Sequence, residues 1–403
     1  MGRAAIAAVS GFVGACSAYL ALLSVAAVAR SRRSVNASPV DGDLVFVVLV
    51  PAHDERAVID RTIRAMRALD YPSASFSIHV VADNCSDDTA AVARSAGATV
   101  HERTDPAARG KGPALNWLLG RVGPSDAVAI VDADTVVDPA FLTEMARALD
   151  AGADVAQGRY DVLDDSTSPA TAIRAAALAC RHHLRPLGRN ELGGSCGLYG
   201  NGMVFRRHVL DGRRWSGHLV EDAELQNELL LDEIVVHYVP TAGVAAEMPE
   251  SLASSSTQHE RWELGRLQVA RTFIPPLLRS AATRPRHRTA HLDAVADHLV
   301  PPLSVLVAAN AVATTVGVLG LAGRRSRLHA FAGAGAGVAI VAHVLVGLQL
   351  AGAPRSTYRA LLSAPRLVVW KLALLARVAL RPGSVVWTRT TRNDTSTPVR
   401  GAT

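Results

Sequence analysis

The sequence predicts an α/β domain with a Rossmann-like, mostly parallel sheet, with one apolar helix before it and about two after it. From Leu44 onward, short apolar runs alternate with amphipathic segments, and repeated β-α-β units of this kind form parallel sheets with right-handed crossovers. Hydrophobic residues make up 49% of the chain and the mean hydropathy is +0.19, which is high for a soluble domain. We therefore expect membrane segments beside the α/β domain.

The N-terminal apolar segment, residues 4–29, is long enough to cross a bilayer as a helix. A cleavable signal peptide is the alternative, but the run is too long for its apolar core and no convincing cleavage site follows. Arg30, Arg32 and Arg33 come next, and cationic residues favour the cytoplasmic side. We expect a multi-pass protein of the plasma membrane whose α/β domain is cytoplasmic.

Two further apolar stretches, residues 299–321 and 330–350, predict transmembrane helices. Pro301-Pro302, near the start of the first stretch, predicts a helix start or a kink. Residues 363–380 place Arg and Lys among Leu, Val and Trp, a pattern typical of a helix lying in the membrane interface. The arginines of 324–327 would then face outward, against the positive-inside tendency.

Composition also limits the partners and the chemistry. The net charge is +6, but Lys111 and Lys371 are the only lysines among many arginines. That bias indicates genome composition, so we expect no nucleic-acid partner. The four cysteines have no paired spacing, so neither a zinc site nor a disulfide framework is predicted, which fits a reducing compartment.

Patterning along the chain predicts the domain organisation and the elements of the α/β domain. The predicted segments are 1–30 (transmembrane helix), 31–43 (linker), 44–275 (α/β domain), 276–352 (two transmembrane helices), 353–392 (amphipathic interface helix and basic tail) and 393–403 (disordered tail). The predicted strands are 44–50, 76–82, 99–101, 127–131, 155–160, 203–207 and 233–239. The predicted helices are 57–69, 88–96, 113–119, 139–149 and 170–184, and residues 193–202 are a glycine-rich loop.

An apolar run, Ala127 to Val131, leads directly into two carboxylates, Asp132 and Asp134. A run of this kind is typical of a strand buried on both faces, and open α/β sheets bind ligands at the carboxyl ends of their strands. Acids two positions apart can point the same way and share a divalent cation. On this stretch alone, a polar turn is an equally good interpretation.

Polar residues also follow the strand 76–82 and precede the helix 113–119. Asp83 at the end of that strand can accept a hydrogen bond from a ribose or a base, whereas Asp87 is better interpreted as a helix N-cap. Gly110-Lys111-Gly112 before a helix resembles a phosphate loop. It lacks the full Walker spacing, which argues against an ATPase.

Two groups of residues later in the chain each allow both a structural and a functional interpretation. Glu221 and Asp222 open an acidic helix, where they interact favourably with the helix dipole, and one of them can equally serve as a general base. Gln258, Arg261 and Trp262 fit an ordinary amphipathic helix near the membrane. They also offer phosphate-binding groups and a flat indole face for a sugar or base.

In combination, these motifs resemble the membrane-bound inverting family 2 glycosyltransferases of GT-A fold, the group of the cellulose, hyaluronan and poly-N-acetylglucosamine synthases. The resemblance covers roughly residues 44–392, and the ordered set is far more specific than any one motif. The matching stretches are Pro51-Ala-His-Asp-Glu55, Asp83-Asn-Cys-Ser-Asp-Asp-Thr89, Gly110-Lys-Gly112 with Ala114-Leu-Asn116, Asp132-Ala-Asp134, Gly200-Asn-Gly202, Glu221-Asp222, Gln258-x-x-Arg261-Trp262 and Trp387-Thr-Arg-Thr-Thr-Arg392.

The resemblance implies a role for each matching position. The nucleotide-sugar site would consist of Pro51, Ala52, Glu55, Asp83, Lys111 and Asp132. Asp134, with Asp132, would bind Mn²⁺ or Mg²⁺, which neutralises charge on the leaving diphosphate. Asp222 would be the general base beside Glu221. The acceptor terminus and the diphosphate would meet at Gln258, Arg261 and Trp262.

The implied function is sugar transfer from a UDP-sugar to a hydroxyl of a saccharide or lipid-linked acceptor, in cell-surface polysaccharide or glycolipid synthesis. Single addition and processive polymerisation both remain open, and a partner membrane subunit is possible because the predicted helices form a small channel at best. The alternative from another class is a catalytically silent, nucleotide-sugar-sensing membrane scaffold. His53-Asp54 and Cys85 depart from the family's usual aromatic-Asn pair and Ser, and we expect neither position to carry chemistry.

Overall fold

The computed structural model describes residues 2–33, 44–163, 169–218, 220–247, 256–319 and 324–380, without the side chains of 2–6, 169–170, 256–261, 324–327 and 377–380. The predicted linker beyond residue 33, the tail and the 387–392 motif lie outside these residues. The strands are β1 (Phe46–Ala52), β2 (Phe76–Asp83), β3 (Thr99–Arg103), β4 (Ala127–Ile130), β5 (Thr135–Val137), β6 (Val155–Val162), β7 (Met203–Arg206) and β8 (Val236–Ala246).

Helices surround this sheet and continue beyond it. Before and within the sheet region they are α1 (Gly2–Ser31), α2 (Ile59–Arg67), α3 (Thr89–Ser95), α4 (Lys111–Leu119), α5 (Phe141–Asp150), α6 (Pro169–Leu178), a π-helical turn (Ala179–Leu184), α7 (Arg185–Glu191), α8 (Arg207–Leu210) and α9 (Glu221–Leu231). After it they are α10 (Ser256–Thr283), α11 (Arg288–Leu299), α12 (Leu303–Leu319), α13 (Arg324–Leu350), α14 (Arg355–Ala360) and α15 (Ala364–Leu380).

The described strands form one sheet in the order β3-β2-β1-β4-β7-β6-β8-β5. Strands β3, β2, β1 and β4 are mutually parallel, and β6 is parallel to β8. The predicted mostly parallel sheet is therefore confirmed. The antiparallel strands are β7, between β4 and β6, and β5, on the edge beside β8. Strand β7 runs backwards because the loop before it already lies at the carboxyl edge, where Gly202 N–H donates to Ile130 O at 3.0 Å.

Strand β1 lies in the interior of the sheet and its side chains alternate between two apolar cores. Phe46, Val48 and Val50 pack on the face covered by α2 and α5, while Val47 and Leu49 pack on the face covered by α4, α7 and α9. All five side chains are at most 3% exposed. A continuous apolar strand is what a sheet covered on both faces requires.

The end of β8 and the short strand β5 differ from the sequence prediction. The last strand was predicted to end at residue 239, before Pro240, but β8 continues to Ala246. A register shift between Gly158 and Arg159 of the partner strand skips the positions after Val239, so the missing N–H of the proline removes no ladder bond. The three-residue strand β5 is absent from the prediction because it is too short to show the alternation of apolar and polar residues that is typical of a strand.

By length and composition, two helical segments can cross a membrane, Ala7–Ser31 and Leu328–Leu350. Helices α11 and α12 count as a third only if they form one span, and they meet at a 70° bend. Pro301-Pro302 lie at that bend, as the kink prediction required. The helix in the stretch predicted at 299–321 is α12, Leu303–Leu319, and its crossing of a membrane stays a prediction.

The N-terminal helix packs directly on the α/β domain. Arg33 pairs with Glu191 of α7 at 2.5 Å. A Cβ on Gly188 would lie only 2.4 Å from Leu23 O, so this glycine allows the backbones of α1 and α7 to approach closely. The arginine end of α1 is therefore the end that faces the domain.

Candidate active site

The candidate site lies where β1, β2 and β4 end. These strands are parallel neighbours, so residues 51–55, 83–87 and 131–135 emerge at one edge. The chain order reverses between β1 and β4, because β1 leads outward to β2 and β3 whereas β4 begins the other half of the sheet. Ligands of open α/β sheets bind in the crevice at such a switch point.

Asp132 and Asp134 lie in the turn between β4 and β5 rather than on a strand. Both are half-buried, whereas Ala133 between them is 4% exposed, so the two acids share the side away from the core. The turn is held from two elements: Thr62 Oγ1 donates to Ala133 O at 2.8 Å, and Asp132 N–H donates to Asn201 Oδ1 at 3.1 Å. Two fixed carboxylates are a donor set that suits a hard divalent cation.

Lys111, at the start of α4, joins this turn to the glycine-rich loop. Its ammonium contacts the Asp132 carboxylate and donates to Gly200 O at 2.5 Å. Burial alone would lower the pKa of Lys111, but the surrounding carboxylates, Asp132 foremost, raise the pKa above its usual value. A charged lysine at a helix N-terminus is suited to bind an anionic phosphate.

Gly200 lies between Lys111 and Asp222. Its φ is +77°, a left-handed conformation, and a Cβ there would lie 3.3 Å from Asp222 Oδ2 and 3.4 Å from Lys111 Nζ. The fold therefore places Lys111 and Asp222 close together although they are far apart in the sequence, and Lys111 also contacts Asp132.

The acid pair at the start of α9 is shifted toward the protonated form. Burial raises the pKa of Asp222. Burial, together with the Asp222 charge, raises the pKa of Glu221 to about 7. A carboxylate with a raised pKa is a stronger base, which is the property a general base near neutral pH requires.

Two buried amide side chains that are not among the predicted site residues hold this geometry. Asn201, 0% exposed, donates to Thr135 Oγ1 at 2.8 Å in addition to accepting from Asp132 N–H. Gln157, also 0% exposed, accepts from Tyr199 N–H at 3.0 Å and donates to Asn201 O at 2.8 Å. In the sequence, the one hint of a role for Gln157 is that it is a single amide side chain inside the predicted strand 155–160.

Asp83 ends β2 in a buried ion pair with Arg103, at 2.5 Å. Both side chains are at most 8% exposed, and Asn84 Nδ2 also donates to the same carboxylate oxygen of Asp83, at 3.0 Å. Arg103 was missed because its partner lies in another strand. The predicted N-cap role of Asp87 is wrong by one residue, because the N-cap position of α3 is Asp88. Asp87 still contacts the start of this helix, since Thr89 N–H donates to Asp87 Oδ1 at 3.0 Å.

The remaining predicted nucleotide residues follow β1. Pro51 is half-buried and Ala52 is buried. Glu55 N–H donates to Thr89 Oγ1 at 2.7 Å, which connects the β1 loop to the start of α3. The structure thus brings Pro51, Ala52 and Glu55 to the same edge as Asp83.

The predicted acceptor residues belong to α10. A Cβ on Gly265 of α10 would lie 2.5 Å from Val220 Cγ1, so this helix packs closely against the residue before Glu221. Trp262, less than one turn earlier, is 41% exposed. The side chains of Gln258 and Arg261 lie outside the described residues, so their placement stays a prediction.

The fold is that of GT-A enzymes. A mannosyltransferase from Pyrobaculum calidifontis, solved with GDP-Man and Mn²⁺, superposes with a TM-score of 0.53 over 85% of this chain and 99% of its own. At 17% identity this likeness shows the fold alone.

A family model described as "Glycosyltransferase like family 2" matches residues 43–265, more than half of the chain, and the chain belongs to this family of glycosyltransferases. The family predicted from the motifs is thereby confirmed. A probable glycosyltransferase of Bacillus subtilis, YdaM, is 26% identical over 237 residues, 56% of each chain. A beta-monoglucosyldiacylglycerol synthase of Trichormus variabilis is 28% identical over 243 residues, 56% of this chain and 50% of its own. The chain spans about half the length of the curated relatives it matches.

Proposed function

We propose that this chain is a membrane-bound inverting glycosyltransferase that moves a sugar from a UDP-sugar to a hydroxyl of a saccharide or lipid-linked acceptor. One observation carries the proposal: Lys111, Asp132 and Asp222 converge around Gly200 at the switch point of the sheet. A phosphate-binding cation, a metal-binding carboxylate and a basic carboxylate are the groups that this reaction needs side by side.

The donor would bind across the ends of β1, β2 and β4. Asp83, with Glu55, Pro51 and Ala52, is suited to the nucleoside end, and Lys111 is suited to the diphosphate. Asp134 and Asp132 would hold Mn²⁺ or Mg²⁺, which supplies charge neutralisation on the leaving diphosphate.

Asp222 is our choice for the general base. Its carboxylate takes the proton of the acceptor hydroxyl while that oxygen forms the new bond to the anomeric carbon. The bond from this carbon to the diphosphate breaks and UDP leaves, so the configuration inverts. Glu221 lies next to it in the same buried site, and its own pKa is raised to about 7 by burial and by the Asp222 charge, so Glu221 can hold a proton near neutral pH while Asp222 acts as the base.

A lipid-linked acceptor fits the membrane part of the chain best. The candidate spans Ala7–Ser31 and Leu328–Leu350 would hold the enzyme in a bilayer. The arginine end of α1 faces the domain, which favours a cytoplasmic site at the plasma membrane. The relative from Trichormus variabilis, by its name, makes a glycolipid, which supports a single addition over a polymer.

The test measures UDP released from a panel of UDP-sugars by the full chain in membranes, with a lipid extract as acceptor. Asp222→Asn and Asp134→Ala are each expected to lower turnover by about 10²–10⁴-fold. Glu228→Gln, which alters an exposed carboxylate of the same helix, is the matched control and should leave turnover unchanged. Mass spectrometry of the product distinguishes one added sugar from a polymer ladder.

Unchanged turnover in both variants would contradict the catalytic assignment. Nucleotide-sugar binding by the unmodified chain, without any UDP release, would instead establish the silent scaffold.

A further inference from the structure

Three side chains at the nucleoside end of the crevice form a cluster that the proposed reaction does not use. His53, Asp54 and Cys85 each offer one ligand atom, and these atoms lie within 4.8 Å of one another. In the part of the chain that the structure describes, no other group of three His, Cys, Asp or Glu residues meets this criterion. The acid pair Asp132 and Asp134 is not part of it.

Backbone conformation brings the three residues together. Asp54, in the loop after β1, has φ +55°, and Asn84, in the loop after β2, has φ +51°. Asp and Asn are among the non-glycine residues that adopt the left-handed region most readily. Asp54 N–H donates to Cys85 Sγ at 3.4 Å, so the two loops are in direct contact at the cluster.

The orientation of His53 suits a metal ligand. Its Nδ1–H donates to Asp83 O at 2.7 Å, and its Nε2 lies 3.9 Å from Asp54 Oδ2. A histidine whose other ring nitrogen is hydrogen-bonded to a carbonyl is the usual arrangement in metal sites, because that bond fixes the ring and its tautomer.

Distances and exposure are compatible with a tetrahedral ion. Metal–ligand bonds of about 2.0–2.3 Å place the ligand atoms of tetrahedral zinc roughly 3.3–3.8 Å apart. The 3.9 Å between His53 Nε2 and Asp54 Oδ2 is close to this range. All three ligand atoms lie within 4.8 Å of one another, so an ion would draw the two loops together by up to about 1 Å. The side chains of His53 and Asp54 are 28% and 17% exposed, so an ion can reach them from solvent.

The types of ligand atom indicate which metal ion the cluster would bind. A sulfur, an imidazole nitrogen and one carboxylate oxygen favour zinc over magnesium or manganese, which prefer oxygen ligands.

We propose that His53, Asp54 and Cys85 form a zinc site, separate from the Mn²⁺ or Mg²⁺ pair, at the junction of the loops that follow β1 and β2. Three protein ligands leave the fourth tetrahedral position to water. Binding converts the Cys85 thiol to a thiolate and releases its proton to solvent, so affinity rises with pH. Since His53 is hydrogen-bonded to the Asp83 backbone, an ion here would fix the loop beside the proposed nucleoside pocket, a consequence that rests on the proposed function.

The test titrates the purified full chain in detergent with Zn²⁺ against a competing chelator, without any sugar donor. One equivalent should bind, and Co²⁺ in its place should show a sulfur-to-metal charge-transfer band. Cys85→Ser should abolish that band and weaken zinc binding by about 10–100-fold or more, and His53→Gln should weaken binding similarly. Serine is close to cysteine in size and Cys85 is only half-buried, so the Cys85→Ser variant is expected to fold, and its thermal unfolding checks this.

Asp134→Asn serves as the second arm, because it alters the other metal site. Zinc binding should survive in Asp134→Asn. The proposal fails if Cys85→Ser and His53→Gln bind zinc like the unmodified chain, or if Asp134→Asn is the variant that loses it. Neither result depends on transferase activity, so failure here and failure of the proposed function are distinguishable.

Discussion

At the scale of single residues, Glu221 predicts a measurable pH dependence of stability. Its pKa is raised from 4.5 to about 7 in the folded chain, first by burial and then by the charge of Asp222. The folded state therefore binds more protons than the unfolded state between these values, and Glu221 makes folding less favourable as pH rises through this window. Its unfavourable contribution is complete above about pH 7.

Glu221→Gln should consequently gain stability relative to the unmodified chain as pH rises from 4.5 to 8. Thermal unfolding of both proteins across this range, without metal or donor, measures the difference. Glu102→Gln, at an exposed carboxyl of β3, is the control. A difference between Glu221→Gln and the unmodified chain that does not change with pH would refute the burial argument.

Asn201 gives a second prediction at this scale. Asn201→Ala removes the acceptor for Asp132 N–H and the donor to Thr135 Oγ1, so the turn that carries Asp132 and Asp134 loses its support. A misplacement of about 1 Å can lower turnover by about 10²-fold, and we expect a loss of this size in UDP release. Asn190→Ala removes a comparable amide bond to Gly194 O, 2.9 Å long, and should reduce stability with a much smaller effect on turnover.

What the sequence predicts at this scale depends on how local the signal is. Asp132 and Asp134 are predictable because the apolar run that positions them adjoins them. Arg103 and Gln157 are not, because their roles come from partners in other strands and loops. The sequence around a single arginine or glutamine does not reveal which carboxylate or loop will contact it in the folded chain.

At the scale of elements, Gly265 controls how closely α10 approaches the acid pair. Gly265→Ala would place a Cβ 2.5 Å from Val220 Cγ1, so the helix must shift. We expect destabilisation of about 1–3 kcal/mol, the usual cost of overpacking, and lower turnover at saturating donor. Gly335→Ala, in α13 with no atom within 4 Å of the added Cβ, should instead stabilise by up to about 1 kcal/mol.

The measurement compares the thermal unfolding temperatures and the UDP-release rates of Gly265→Ala and Gly335→Ala. Equal effects at both positions would show that the approach of α10 to Val220 is unimportant.

Helices and strands could be predicted where the hydrophobic periodicity or an apolar run extended over enough residues. The parallel half of the sheet, β1 to β4, follows from repeated β-α-β patterning. The direction of β7 does not, because it depends on where the long connection before it ends. The continuation of β8 past Pro240 depends on a register shift in its partner strand, which no pattern within β8 reveals.

At the scale of the whole molecule, a buried ion network joins the N-terminal helix, the α/β domain and α11. Arg189, 3% exposed, pairs with Asp293 at 2.7 Å, and Asp293 also accepts from Tyr19 of α1 at 2.8 Å. Arg189→Ala would leave the Asp293 charge buried without its main partner, which costs about 3–5 kcal/mol.

We therefore expect Arg189→Ala to lower the unfolding temperature and the yield of folded protein. Arg33→Ala removes the pair with Glu191, in which Arg33 is 66% exposed, and should change stability by only about 0–1 kcal/mol. Unfolding in detergent, monitored for both variants, checks the contrast. Similar stability for the two would mean that the buried network does not hold the parts together.

The contact between α10 and α15 makes the two helices one mechanical unit. Glu263 and Lys371, 7% and 8% exposed, pair at 3.0 Å, and Trp262 is the neighbour of Glu263 in the chain. Any displacement of α15 would therefore be passed through this buried ion pair to the segment of α10 that carries the indole of Trp262.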